Sequence, residues 1–230
     1  MEPQKCAEHL LQFCKTSLSD RGDTDEFILF LLESDFFTAP ASTKFHAAFS
    51  GGLFLHSWGV FKRLQMFIKR SPENMEKPDI VVQMLIALFH DLCKVGMYEQ
   101  GHKWTKINNK WVELDVWQHN DMIPLGHGEK SLYLLQTYLR VEPDEACAIR
   151  WHSNRHETGT HFFYPTGASL NEAMKKYPIT KYLHLADLFQ TYAYEIIGGI
   201  IHDGELIDRT ENPFEPIIDV EKLKETIVGS

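Results

Sequence analysis

The chain has 230 residues, 43% hydrophobic and 24% charged, which is ordinary globular usage and excludes disordered and collagen-like classes. That length supports one well-buried core, or a domain with a small appendage. With 23 basic against 32 acidic residues the net charge is −9, which argues against an extended nucleic-acid-gripping surface and leaves a local phosphate pocket open.

Cys6, Cys14, Cys93 and Cys147 are scattered, with no CxxC pair, so a zinc knuckle or thioredoxin-like site is not expected. The segment MEPQKCAEHL lacks a basic stretch followed by an apolar one, and no apolar run is long enough to span a bilayer. A cytoplasmic protein with no membrane partner is the expectation.

Helical spacing of apolar residues runs over Lys5 to Ser17 and Thr24 to Glu33. Thr38 to Ser50 starts turn-like, and Gly51-Gly52 then opens a helix over Leu53 to Lys69 that Ser71-Pro72 closes. Asp79 to Lys94, DIVVQMLIALFHDLCK, is apolar nearly all round and reads as a central buried helix capped by Asp79. Alternation around Asn108-Asn109 predicts a β-hairpin over about 102–118. Helices are expected over Gly126 to Arg140, Pro143 to His152, Ser169 to Tyr177 and Pro178 to Ile200. A polar tail over about 203–230 follows. One domain over 1–230, with its core at about 40–200, is the simplest organisation.

Twelve histidines are many, but the context of a few carries the argument. His90-Asp91 follows Val82 to Phe89, in which only Gln83 is polar. Burying a carboxylate beside an imidazole there is unfavourable unless something pairs with both. A divalent cation does so; a buried His–Asp hydrogen bond is the plain alternative. His56 in GGLFLHSWGV, Asp187 in LHLADLFQTY, His127 in PLGHGEKS and His152 in AIRWHSNRHE are likewise ligand types among core-forming residues. Mixed nitrogen and oxygen donors suit Mn, Fe, Zn, Ni or Co better than Ca.

The order H…HD…D, with GGLFLHS upstream and HDLCK in the middle, resembles the HD-domain superfamily of metal-dependent phosphohydrolases. The resemblance covers roughly residues 40–192. The run KVGMYE…KW…W…PLGHGEKS…AIRWH…KYP…LHLADLFQTY is similar to uncharacterised HD hydrolase-like proteins of bacteria and their phages. The resemblance implies an all-α helical bundle, here with a small β-hairpin insertion. It also implies one metal held at His56, His90, Asp91 and Asp187. HD-GYP phosphodiesterases, HD exoribonucleases and HD oxygenases insert two further histidines before the last Asp; His127 and His152 match them. In those proteins the position of Asp91 bridges two metals. Here no His-His pair or GYP triplet occurs, which argues against cyclic di-GMP hydrolysis.

The expected activity is hydrolysis of a phosphate ester, a nucleotide or short oligonucleotide, by water activated on one or two divalent ions (Mn, Fe, Ni, Co, Zn or Mg). Asp91 and Lys94 are the expected catalytic residues. Lys94 lies one turn beyond Asp91 and can hold a phosphate oxygen; a solvated helix-end cation is its alternative role. Glu129, Lys130, Arg150 and Arg155 are further candidates for substrate contact, with ordinary salt bridges as their alternative. His184 is a possible supporting partner of Asp187, while His46, His156 and His161 are secondary. Trp104, Trp111 and Trp117 either form a lid that stacks on a base or anchor the hairpin. Two other functions fit the residues: a di-iron oxygenase, which shares the six-ligand order, and a non-enzymatic nucleotide-binding module.

Overall fold

The structure, a computed structural model, describes residues 1–72, 77–153 and 166–228. Helices α1 (Pro3–Ser17) and α2 (Thr24–Glu33) precede a long α3 (Gly52–Lys69). Helix α4 (Ile80–Phe89) is capped by the Asp79 side chain, which accepts from the Val81 N–H at 2.8 Å. A hairpin follows, β1 (Tyr98–Ile107) and β2 (Lys110–His119). Asn108 and Asn109 turn it with φ of 49° and 65°, the left-handed pair that a two-residue loop requires. Then come α5 (His127–Gln136), α6 (Pro143–Arg150), α7 (Thr166–Lys176) and α8 (Ile179–Tyr194). The chain continues as β3 (Glu195–Ile196), β4 (Gly199–His202) and β5 (Glu205–Asp208), and α9 (Val220–Val228) comes last.

Two expectations need correction. The fold is not all-α: beside the helices it holds the β1–β2 hairpin and a three-stranded antiparallel sheet in the order β3-β4-β5. The helix expected to reach Ile200 stops at Tyr194. EIIGGIIHDGELID is apolar enough to look like helix, but it is a strand pattern. Gly198, Asp203 and Gly204 adopt φ of 72°, 53° and 89°, making the turns between strands. The segment read as Asp79 to Lys94 is also two pieces. Helix α4 ends at Phe89, Asp91 has φ −101° and ψ 20°, and Leu92–Lys94 form a short 3₁₀ turn. That break lets neighbouring His90 and Asp91 aim at one point instead of diverging by the ~100° of a continued helix.

Helix α3 lies at the centre, buried from Gly52 to Phe61, and packs against α4 and α8. Helices α5 and α6 pack on each other, and α6 also packs against α4 and α8. Gly128 permits this approach, since a Cβ there would collide with the Arg150 carbonyl oxygen. Among the described residues no helix is long and apolar enough to cross a membrane.

Candidate metal centre

Four helices and one helix break deliver six side chains to one place. His56 comes from the second turn of α3, and His90 and Asp91 from the end of α4. His127 opens α5, His152 follows α6, and Asp187 sits mid-way along α8. His56, His90, Asp91 and His152 are buried, each 3% exposed or less.

His56 Nε2 lies 3.3 Å from His90 Nε2, 3.4 Å from Asp91 Oδ2 and 3.3 Å from Asp187 Oδ1. His90 Nε2 lies 3.5 Å from Asp91 Oδ2 and 4.0 Å from Asp187 Oδ1. Donors about 2.1 Å from one cation stand roughly 3.0 Å apart at right angles and about 3.4 Å apart in a tetrahedron. These edges therefore enclose a space of the right size for a divalent ion. On its other side, Asp91 Oδ1 lies 2.7 Å from His127 Nε2 and 3.3 Å from His152 Nε2. The two oxygens of one carboxylate thus face two imidazole groups.

The other ring nitrogens identify which atoms are available. His90 Nδ1 donates to the Ala87 carbonyl at 2.8 Å, and His152 Nδ1 to the Ile149 carbonyl at 2.7 Å. A carbonyl only accepts, so each of these Nδ1 atoms carries the proton. His56 Nδ1 faces Glu195 Oε1 at 2.8 Å, and His127 Nδ1 lies 3.1 Å from Cys93 Sγ. All four rings have Nδ1 engaged and Nε2 turned inward, the arrangement that fixes a metal-binding tautomer. The donor set fits a divalent transition ion.

Protein cations lie beside the carboxylates. Burial opposes ionisation of Asp91, yet the Lys94 ammonium 2.6 Å from Oδ2 and the surrounding histidines hold its carboxyl well below the usual range. Burial likewise opposes ionisation of Asp187, and the His56 hydrogen bond and charge outweigh it. For His56, burial disfavours the imidazolium, but the Glu195 charge and the hydrogen bonds the ring donates to Asp187 and Glu195 hold it up at about 10. His90 goes the other way: burial pushes it down to about 3.

Glu195 escaped sequence reasoning. It begins β3, is buried, and also accepts from Gln190 Nε2 at 3.0 Å. Gln190 fits only because position 59 of α3 is glycine; a Cβ would strike its side chain. The one available signal was a carboxylate leading an apolar run, EIIGGII.

Asp91, His127, His152 and Asp187 of the cluster line a pocket of about 760 Å³, with His56 and His90 behind them. Lys94 lies in its wall with Tyr98, His119 and Asp121, and Leu125, Leu188 and Tyr192 also line it. Glu129, Lys130 and Arg150 lie outside this lining. Glu129 and Arg150 form an ion pair with each other, and the Arg150 guanidinium stacks 4.2 Å from the Trp151 ring centroid. Lys130 is buried and donates to Asp121 Oδ1 at 2.6 Å, so it holds a wall residue from behind. Arg155, with His156 and His161, falls outside the described residues. His184 Nδ1 hydrogen-bonds the His152 carbonyl, and His46 lies 5.6 Å, ring to ring, from His56. Trp117 packs on Phe214, ring centroids 5.0 Å apart, which anchors the hairpin base.

Comparison of the chain with protein-family models, curated proteins and solved structures returns no match. The resemblance to HD phosphohydrolases therefore rests on the motif residues.

Proposed function

We propose that the chain is a cytoplasmic metal-dependent phosphohydrolase acting on a phosphate ester of nucleotide type. The observation that carries this reading is the two-sided Asp91 carboxylate. Its Oδ2 faces His56 and His90 and its Oδ1 faces His127 and His152, with every Nδ1 already engaged.

Divalent cations bound there would supply Lewis acidity and lower the pKa of a bound water. Asp91 and Asp187 orient the centre, and Asp91 is the residue able to serve both sides. Lys94 is 6% exposed, pairs with Asp91 Oδ2 at 2.6 Å and lines the pocket, which supports a role for its ammonium in holding a non-bridging phosphate oxygen. The remaining wall, with His119, Asp121 and Tyr98, offers polar contacts to the organic part of the ester.

The test is phosphate release from aryl phosphates and nucleotides by protein loaded in turn with Mn, Co, Ni, Fe, Zn or Mg, with metal content measured alongside. Turnover lost in Asp91→Ala together with the metal supports the reading. Metal-replete protein that consumes oxygen with an organic substrate and releases no phosphate replaces it with the oxygenase reading.

A further inference from the structure

Lys130 is 2% exposed, and its ammonium pairs with Asp121 Oδ1 at 2.6 Å. Burying such a pair is unfavourable, and an apolar pair of similar volume is often as stable, so packing alone does not account for it. What the lysine does is fix Asp121. It lies three residues beyond His127 on α5, on the same helix face. Asp121 Oδ1 accepts a second hydrogen bond from the Ile123 N–H at 3.0 Å. The adjoining backbone is held too: the Asn120 N–H donates to the Met97 carbonyl at 2.8 Å, and the Met97 N–H to the Lys94 carbonyl at 3.2 Å. This ties Asp121 to the Lys94 side of the pocket.

The second oxygen is different. Lys130 and Ile123 use both lone pairs of Oδ1, while Oδ2 has no hydrogen-bonding partner among the described residues, although the side chain is only 9% exposed. Asp121 lines the pocket with Lys94, Met97, Tyr98 and His119, and Lys130 does not. The atom left to the pocket is therefore Oδ2. Burial opposes its ionisation, but the hydrogen bonds from Lys130 and Ile123 hold the carboxyl below its ordinary value, so it is an acceptor only. A phosphate oxygen cannot satisfy it, because two acceptors have no proton between them. An ammonium on the substrate is disfavoured, since Lys130 already neutralises Asp121 and the same pocket holds the Lys94 cation. A neutral hydroxyl is the donor that remains.

We propose that Asp121 Oδ2 is the acceptor for a hydroxyl group on the organic part of the substrate, which makes the substrate class a hydroxyl-bearing phosphate ester, a sugar phosphate or the ribose of a nucleotide. Lys130 is then a positioning residue that acts through Asp121. A carboxylate performs the same task for ribose hydroxyls in dinucleotide-binding sites. The proposal deepens the phosphohydrolase reading and rests on it for the phosphate at the other end of the ester.

The test compares four esters on metal-loaded, full-length protein: adenosine monophosphate, its dideoxy analogue lacking both ribose hydroxyls, ribose phosphate and phenyl phosphate. Adenosine monophosphate should exceed its dideoxy analogue in kcat/KM by about 10–100-fold, because the analogue leaves a buried charged acceptor unpaired. Ribose phosphate sharing that advantage over phenyl phosphate assigns the hydroxyl to a free sugar phosphate as well; adenosine monophosphate alone showing it assigns the nucleotide. Asp121→Asn should bring the ratio towards one, the loss falling on the hydroxyl-bearing esters. Asp121→Leu/Lys130→Met removes the pair without stranding either charge and should do the same, so a misfolded single variant does not end the test. Circular dichroism and metal content check both proteins. A dideoxy analogue as good as its parent, a ratio untouched in both variants, or an equal loss on all four esters overturns the proposal. If no ester is turned over, the phosphohydrolase reading fails on its own, and the same ratios read as Kd by calorimetry decide whether Asp121 recognises the hydroxyl.

Discussion

His56 and Glu195 are 139 residues apart in the chain, yet Nδ1 of one lies 2.8 Å from Oε1 of the other, both buried. The carboxylate orients the ring and makes Nε2 a stronger donor to an ion. Glu195→Gln should therefore weaken metal affinity by about 10–100-fold, the usual range for such outer partners, while leaving the ligands in place. Titration calorimetry with Co²⁺ or Mn²⁺ checks this. An unchanged affinity would show that the contact is structural only.

Asp91 and Lys94 make a buried pair at 2.6 Å. Asp91→Ala should abolish metal binding and also strand the ammonium, destabilising the metal-free chain by about 3–5 kcal/mol. Asp91→Ala/Lys94→Met should regain much of that stability without regaining metal. Urea midpoints of the wild type, the single variant and the double variant decide it; a double variant no more stable than the single one removes the argument.

The imidazolium of His56 sits where a cation would. Its pKa is about 10 in the folded chain against 6.5 ordinarily, so at neutral pH an incoming ion must displace a proton. Metal affinity should rise with pH up to about 10, with proton release measurable in buffers of different ionisation enthalpy. The sign for stability follows. The His56 contribution to the metal-free chain is fully present below 6.5 and is lost as pH rises from there through 10. His90, lowered to about 3, acts oppositely, its contribution present above 6.5 and lost as pH falls towards 3. Thermal melts of metal-free protein should fall on both sides of neutrality.

His127 and His152 meet because Gly128 lets α5 approach α6. Gly128→Ala should force the helices apart, cost about 1–3 kcal/mol, and lower occupancy on the Oδ1 side of Asp91 more than on the Oδ2 side. His127→Ala should lose that second ion and keep the first. Elemental analysis giving the same metal content in all three proteins would refute a two-ion centre.

Much of the local structure was legible from the residues themselves. The helix over Thr24–Glu33 and the hairpin around Asn108-Asn109 follow from periodicity and turn chemistry, which are properties of neighbours in the chain. The same is true of the observation that His56, His90, Asp91 and Asp187 sit in apolar surroundings. The three-stranded sheet was not legible, because EIIGGIIHDGELID has the composition of a helix end and only its glycine turns and pairing make it strand. What only the tertiary structure decided are relations between distant residues. They include the two faces of Asp91, the Glu195 partner of His56, the burial of Lys130 behind Asp121, and the pairing of Arg150 with Glu129. A sequence determines which side chains need a partner, since burying charge is unfavourable whatever surrounds it. Which partner each one meets depends on how the helices pack, and that is a property of the whole fold.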